Sequence, residues 1–163
     1  DGPVKREGDG RAPAGVFAIG EAFGYAPSAD TALPYAQMQD TSWCVDVVES
    51  PLYNRIVDAR QAGEDAVRGS SEPMRRDLHE NGDQRYRSGF VIEHNPEGRK
   101  GAGSCIFAHL WKAPGVPTAG CTAMAAPVMQ RLYGWLHPGA QPVFVLLPQS
   151  EYDRLKATWN LPL

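Results

Sequence analysis

The chain has only three cysteines, a small net charge and no long apolar run, and each of these absences excludes a class of protein. No stretch approaches the roughly 18 consecutive apolar residues of a membrane-spanning helix, so the sequence predicts no membrane span. A net charge of −3 gives no general reason to expect a nucleic-acid partner. With 163 residues, no internal repeat and no linker, the chain is expected to form one globular domain over residues 1–163.

Closely spaced metal ligands are also absent. His79, His94, His109 and the cysteines are side chains of the types that bind zinc. They include no C-x-x-C or H-x-x-x-H pair, and such pairs are the usual signature of a zinc site in a sequence. The sequence therefore predicts no metal site.

Three cysteines leave one unpaired if the other two are bonded. Cys44 and Cys105 can form a disulfide, which leaves Cys121 as a free thiol. In the chain-entropy account, closing a loop of about 60 residues stabilises the fold by about 4 kcal/mol. The alternative is that Cys44 and Cys105 are buried and reduced, as free cysteines often are. The spacing alone leaves both alternatives open.

Short segments rich in β-branched and aromatic residues predict the strands. We predict strands at residues 16–19, 43–48, 89–94, 104–109 and 142–147. The last is apolar throughout and is predicted to be central in its sheet. Residues 1–15 and 24–42 are predicted to be loops, and the polar stretch 58–88 to hold loops with one short helix around 72–80.

Two helices are predicted near the end of the chain. The first follows from the helical spacing of Val128, Leu132, Trp135 and Leu136, with Pro127 in its first turn and Pro138-Gly139 as its stop. The second has Ser150 as its N-cap, with Tyr152, Leu155 and Trp159 along one side. These elements predict a mainly β domain with peripheral helices.

A cysteine and a histidine form the main chemical candidate. Cys121 lies twelve residues after His109, which is predicted at a strand end, and residues 112–117 form a short loop between them. A nearby imidazole can take the thiol proton and make the sulfur a strong nucleophile. Backbone N–H groups at Gly120 and Cys121 can stabilise an oxyanion. The alternative is a small buried cysteine beside a core histidine.

The imidazole needs a partner that orients it. No acidic residue lies between His109 and Cys121, so a backbone carbonyl or a carboxylate from elsewhere must do so. A charge-rich glycine loop, KREGDGR at residues 5–11, lacks the glycine-lysine-hydroxyl ending of a phosphate loop. It is expected to be a solvated turn, or else to lie at the mouth of a cleft.

Five blocks in order resemble the L,D-transpeptidase catalytic domain, the YkuD-like family of bacterial cell-wall enzymes. They are KREGDGRAPAGVF at 5–17, CVD at 44–46, SPLYN at 50–54, GSCIFAH at 103–109 and TAGCTAM at 118–124. The resemblance implies a mixed β-sandwich or open barrel with the cysteine in a cleft. It also implies a peptidoglycan transpeptidase that requires no metal or organic cofactor and acts in the periplasm or cell envelope.

The reaction that the resemblance implies has two steps. Cys121 attacks the carbonyl of an L-centre in a peptidoglycan stem peptide, and His109 is the base that later protonates the leaving amine. The resulting thioester is resolved by the amine of a second stem, which makes a cross-link. Carbapenem β-lactams, which acylate such thiols, are a further expected ligand. A carboxypeptidase or endopeptidase with the same dyad, and a non-catalytic wall-binding module, are the alternatives.

The chain also departs from the pattern of many family members. Ala119 replaces a histidine, Thr122-Ala123 replaces a basic ending, and the interval between His109 and Cys121 is shorter. The preference for one donor stem therefore cannot be carried over. The strands that usually precede the glycine loop are missing and no apolar leader is visible, which is expected of a trimmed or mature product.

Substrate contacts are predicted at five further positions. These are Trp111, Thr118, Tyr53, Asn54 and Arg11, of which Arg11 is suited to bind a stem carboxylate. A core aromatic is the alternative for Trp111, a turn residue for Asn54 and a solvated cation for Arg11. Glu72 and Tyr86 are expected to belong to surface structure instead.

Overall fold

The structure is a computed structural model in which residues 4–162 are described. The first three residues of the predicted N-terminal loop lie outside the described residues. Within 4–162, strands and loops predominate and helices are short. The chain is therefore a mainly β domain with peripheral helices, as the sequence predicted.

Nine strands of the described chain form two sheets. The strands are β1 (Gly15–Gly24), β2 (Tyr35–Gln37), β3 (Ser42–Cys44), β4 (Ile56–Asp58), β5 (Glu72–Pro73), β6 (Ser88–Ile92), β7 (Phe107–Leu110), β8 (Thr122–Met124) and β9 (Val143–Leu146). The main sheet has the order β2-β1-β6-β7-β8, with β9 beside β1, and the small sheet has the order β4-β3-β5.

The helices lie between and after these strands. They are α1 (Ala59–Ala62), α2 (Glu64–Val67), α3 (Arg76–His79), α4 (Ala126–Trp135) and α5 (Gln149–Leu155), with a 3-10 turn at Pro138–Ala140. Within residues 4–162, none of them has the length and apolar character that a transmembrane span needs.

The long strand β1 organises the main sheet. Its first half, from Gly15 to Ala18, pairs antiparallel with β9. Its second half pairs with β6 on one side and with β2 on the other, after an irregularity between Ile19 and Ala22. One strand therefore joins three neighbours because its register changes partway along its length.

Strand β7 separates two regions of the core. Successive side chains of a strand point to opposite faces. Ala108 and Leu110 pack in the cluster that contains Met129 of α4, whereas Phe107 packs with Phe23 in the cluster on the other face. His109 shares its face with Phe107, and this alternation places the histidine on the side away from α4.

The structure corrects the position of the last strand. Residues 143–146 form β9, which pairs only with β1, and Val143 is 56% exposed. The expectation of a central strand at 142–147 is therefore wrong. An apolar run can still form an edge strand here, because apolar side chains are tolerated at exposed positions and β9 hydrogen-bonds to β1 along one edge.

Other boundaries also differ. The predicted strand at 43–48 ends at Cys44, and the predicted loop at 24–42 contains β2. In α4 the buried residues are Met129 and Tyr133, whereas Trp135 is 74% exposed. Of the four residues of the predicted face, Leu132 and Leu136 pack in the core, whereas Val128 and Trp135 are exposed, so the predicted face is right at two positions and wrong at two. Helix α5 begins at Gln149 after Pro148, and Ser150 is not its N-cap.

Cys44 and Cys105 form a disulfide that joins the two sheets. Their Cα atoms are 6.0 Å apart, and their positions in the sequence differ by 61. Cys44 is the last residue of β3, and Cys105 lies just before β7. Of the two alternatives that the spacing left open, the structure has the bonded pair, and Cys121 is the free cysteine.

Removal of this disulfide should lower the free energy of unfolding by about 4 kcal/mol, because the unfolded chain regains the entropy of a loop of about 60 residues. Urea unfolding of the Cys44→Ala/Cys105→Ala variant, compared with the unmodified protein, measures this difference. A change below about 1 kcal/mol would contradict the prediction.

Tyr133 connects α4 to the main sheet through its hydroxyl. The hydroxyl accepts from the N–H of Gly89 at 2.8 Å and lies 2.8 Å from the carbonyl oxygens of Phe23 and Gly89, to one of which it donates. All of these groups are buried. Water therefore cannot replace the tyrosine oxygen if it is removed.

Tyr133→Phe should destabilise the protein by about 1–3 kcal/mol, because it leaves the buried N–H of Gly89 without an acceptor. Thermal and urea unfolding measure the change. Tyr35→Phe is the matched control, since its hydroxyl donates to the carbonyl of Ala26 at an exposed position. Equal losses in the two variants would show that burial is not the cause.

Candidate active site

His109 lies on β7, and Cys121 lies immediately before the adjoining parallel strand β8. His109 pairs with Ala123 of β8. The N–H of Phe107 lies 3.4 Å from the Cys121 sulfur. His109 and Cys121 therefore point to the same face of the sheet from neighbouring strands, and both line one cleft.

A backbone carbonyl orients His109. Its Nδ1 lies 2.7 Å from the carbonyl oxygen of Leu110, and a carbonyl can only accept, so Nδ1 carries the proton in the neutral ring. Nε2 is then left as an acceptor. Burial lowers the pKa of His109, which favours this neutral form. Of the two orienting groups considered from the sequence, the structure uses the carbonyl.

The Cys121 thiol is held as a neutral group. The sulfur accepts from the N–H of Phe107 and donates to the carbonyl of Cys105 at 3.3 Å. Burial raises the pKa of Cys121 to about 12, and the nearby carboxylate of Glu72 acts in the same direction. At neutral pH the pair is therefore a thiol beside a neutral imidazole, and the thiol must turn from Cys105 to give its proton to Nε2.

The turn before Cys121 is closed by Thr118. Its hydroxyl donates to the carbonyl of Cys121 at 2.6 Å and accepts from the N–H of Gly120 at 3.4 Å. Gly120 has a φ of +145°, and a Cβ there would lie 2.8 Å from the carbonyl oxygen of Arg11. This position therefore requires glycine. The oxyanion role of the Gly120 and Cys121 N–H groups stays a prediction.

Two clefts meet at Cys121. The basic cleft contains Arg76, Arg85 and Lys112 and has a volume of about 160 Å³. The acidic cleft contains Glu7 and Asp46 and has a volume of about 210 Å³. Three residues, Glu72, Ala119 and Cys121, line both clefts. The sulfur can therefore be approached from two sides of opposite charge.

Glu72 and Tyr86 lie within this site and not in surface structure, so the expectation for them is wrong. Tyr86 is 3% exposed, and its ring packs edge-on against the ring of His109 with centroids 5.2 Å apart. Its hydroxyl donates to Oε1 of Glu72 at 2.6 Å, and Arg76 Nη1 binds the same oxygen at 2.6 Å. These hydrogen bonds hold the Tyr86 ring that packs against the imidazole.

The glycine loop of residues 5–11 lies at the mouth of the acidic cleft, through Lys5, Glu7, Gly8 and Gly10. Glu7 accepts from the hydroxyl of Tyr53 and, at 2.6 Å, from the hydroxyl of Ser104. The loop was expected to be a solvated turn or to lie at the mouth of a cleft, and the structure has it at the cleft mouth. The Tyr53 hydroxyl holds Glu7 in this position.

The remaining predicted contacts have other surroundings. The amide of Asn54 accepts from the N–H of Cys105 at 2.8 Å and donates to the carbonyls of His94 and Asn95. Trp111 is 40% exposed and follows β7, outside the lining of both clefts. The side chain of Arg11 is exposed, and only its backbone carbonyl reaches the site. Substrate roles for these three stay predictions.

Sequence reasoning missed the cations of the basic cleft. Arg76 and Arg85 lie in the polar stretch that was predicted to hold loops and one short helix around 72–80, and Lys112 lies in the connecting loop. Arg76 belongs to that short helix, α3. No spacing pattern marks the three cations, because they come from separate segments that the fold brings to one cleft. Arg76 and Arg85 also pair with Glu80 and Asp83, which hold both guanidinium groups in place.

Among residues 4–162, no group of three or more His, Cys, Asp or Glu side chains is arranged to hold a metal ion. No protein-family model, curated protein or solved structure matches the chain significantly. The site is therefore interpreted from its own geometry. That geometry provides a thiol, an adjoining base and two chemically different approaches to the sulfur.

The rate at which iodoacetamide alkylates Cys121 should be low at pH 7 and should rise about tenfold per pH unit to at least pH 9. The thiolate is the reactive form, and a pKa raised to about 12 keeps the sulfur protonated at neutral pH. Intact-mass spectrometry over a pH series measures the rate, with N-acetylcysteine as the control. A plateau below pH 8 would contradict the prediction.

Proposed function

We propose that this chain is the catalytic domain of a peptidoglycan L,D-transpeptidase in which Cys121 is the nucleophile and His109 the general base. The observation that carries the proposal is the placement of both side chains in one cleft, with Nε2 of His109 free to accept a proton. A buried cysteine beside a core histidine would need neither a cleft at the sulfur nor a free imidazole nitrogen.

Acylation begins when a donor stem peptide brings its carbonyl carbon to Cys121. Nε2 of His109 takes the thiol proton as the sulfur attacks, so charge separation occurs only with substrate in place. The tetrahedral intermediate then collapses, the C–N bond to the D-residue breaks, and His109 protonates the leaving amine. The products are a thioester at Cys121, a free D-amino acid and a neutral imidazole.

The basic cleft supports a donor that carries carboxylates. Its lining holds Arg76, Arg85 and Lys112 beside one acidic residue, Glu72. Glu80 and Asp83 also pair with the two arginines, so among the described residues Lys112 is the cation of this lining that has no ion pair. A guanidinium group binds a carboxylate through two parallel N–H donors, and this geometry selects for planar anions. Stem peptides carry free carboxylates close to the scissile bond, which makes them a suitable class of donor.

The fold and the disulfide agree with the proposal. A mixed sheet packed against a second, smaller sheet is consistent with the YkuD-like sandwich, in which the cysteine lies in a cleft. A disulfide between Cys44 and Cys105 persists in an oxidising compartment. We therefore place the protein in the periplasm or cell envelope, where its substrate is.

Purified sacculi treated with the protein and analysed by mass spectrometry provide the main test. New cross-linked dimers support a transpeptidase. Shortened monomers alone would show that water is the acceptor and that the protein is an L,D-carboxypeptidase with the same dyad. Binding to sacculi without any product would favour a non-catalytic wall-binding module.

Cys121→Ala should lower turnover by at least about 10³-fold, and His109→Asn by about 10²–10⁴-fold, because the first removes the nucleophile and the second the base. Carbapenem labelling followed by intact-mass analysis should give one adduct on the unmodified protein and none on Cys121→Ala. Thermal unfolding verifies that both variants are folded. Activity that survives Cys121→Ala would refute the assignment of the nucleophile.

A further inference from the structure

Glu72 lies beside the nucleophile with one oxygen uncommitted. It belongs to β5, opposite Cys44 of β3, and lines both clefts. Oε1 takes both hydrogen bonds, from the Tyr86 hydroxyl and from Arg76. Among the described residues, Oε2 has no hydrogen-bond donor of its own. The side chain retains 25% of its accessible surface and lines both clefts, so a ligand in either cleft can contact it.

The Glu72 carboxylate is not placed to activate the Cys121 thiol. A negative charge beside Cys121 raises the pKa of the thiol and so opposes formation of the thiolate. The hydrogen bonds from Tyr86 and Arg76 explain the position of Oε1 but give Oε2 no partner. Glu72 lines both clefts, and Oε2 has no hydrogen-bond donor among the described residues, so this oxygen can serve a different role.

The acidic cleft matches a cationic ligand. Its lining contains the carboxylates of Glu7, Asp46 and Glu72 but one cation, Lys5, which pairs with Asp9. Glu7 and Asp46 are held by hydroxyl and N–H donors, including the N–H of Ser71 at 2.9 Å from Asp46. A ligand that enters this cleft towards Cys121 therefore meets negative charge, and Glu72 lies next to the sulfur.

We propose that Oε2 of Glu72 binds the ammonium group of the acceptor and takes its first proton, which makes amine transfer faster than hydrolysis of the thioester. This inference rests on the proposed transpeptidase function and assigns the acidic cleft to the acceptor. Glu72 is thus a catalytic residue of the second half-reaction, distinct from His109, which serves both halves.

The protons balance in this scheme. The acceptor arrives as R–NH₃⁺, and Glu72 takes one proton to leave a neutral amine with its lone pair free. The nitrogen attacks the thioester carbonyl, its second proton passes to Nε2 of His109, and the C–S bond breaks. His109 then returns that proton to the Cys121 sulfur, and Glu72 releases its proton to solvent.

The surroundings of Glu72 suit a base. Burial raises the pKa of Glu72, despite the hydrogen bond from Tyr86 and the charge of Arg76, so the carboxylate holds a proton more readily than an exposed one. Water carries no positive charge and gains little from the acidic cleft. Glu72 therefore distinguishes the two acceptors by charge.

The test compares Glu72→Gln with Glu80→Gln. Glutamine keeps an Oε1 acceptor for Tyr86 and Arg76 but places an NH₂ donor where Oε2 stood. Glu80 binds Arg76 at 2.6 Å and Arg85 at 2.8 Å without lining either cleft, so its variant perturbs the same arginines. Each protein receives a purified disaccharide-tetrapeptide donor and an acceptor stem, and transfer and hydrolysis products are quantified by mass spectrometry.

Glu72→Gln should lower the ratio of transfer to hydrolysis by roughly 10- to 100-fold, the value of one charge-assisted hydrogen bond; both products come from the same Cys121 thioester, so a change in the rate of its formation cancels in this ratio. Glu80→Gln should leave the ratio as it is. An unchanged ratio in Glu72→Gln, or an equal fall in both variants, overturns the inference alone. The absence of any Cys121 adduct in the unmodified protein overturns the proposed function and this inference with it.

A measurement on the unmodified protein covers the case in which Glu72→Gln does not fold. An acceptor stem whose amine is trimethylated keeps its positive charge but cannot form an amide. It should inhibit transfer in competition with the acceptor, whereas the N-acetylated stem, which is neutral, should inhibit at least tenfold more weakly. Equal inhibition by the two analogues would show that the cleft does not select for charge and would overturn the inference.

Discussion

The backbone at Cys105 joins the three parts of the molecule that make the site. The Cys105 sulfur is bonded to Cys44 of the small sheet, the Cys105 N–H donates a hydrogen bond to the side-chain oxygen of Asn54, and the Cys105 carbonyl accepts a hydrogen bond from the Cys121 thiol. Cys105 has a φ of +54°, a left-handed conformation that costs a non-glycine residue about 1 kcal/mol or more. The disulfide and the two hydrogen bonds hold it there.

The fixed position of the Cys105 carbonyl determines which hydrogen bond the Cys121 thiol donates. A thiol that donates to a carbonyl, in surroundings whose burial raises its pKa, stays neutral and unreactive towards weak electrophiles. His109 is neutral as well, with its Nδ1 proton held by Leu110. In the function that we propose, the reaction begins when the donor enters the basic cleft and the thiol turns towards Nε2, and until then both groups stay neutral.

Local patterns predicted the parts of the fold that depend on local physics. The strand before Asn95, the strand that carries His109 and the helix with Pro127 in its first turn all exist, because β-rich runs and proline positions act over a few residues. The predicted face of α4 was right at Leu132 and Leu136 but wrong at Val128 and Trp135, which remain exposed, because periodicity cannot tell which apolar stripe meets a sheet. Strand β9 was misplaced because an apolar run does not reveal its number of neighbours.

The sequence by itself determined the reactive groups: a free cysteine, a histidine twelve residues before it, and a short loop between them that can join neighbouring strands. Only the tertiary structure decided which carbonyl orients the imidazole, that Cys44 bonds to Cys105, and that Glu72 and Tyr86 lie beside the dyad. These relations connect residues that are far apart in the chain. They arise from strand pairing and packing across sheets, and no spacing along a single sequence contains that information.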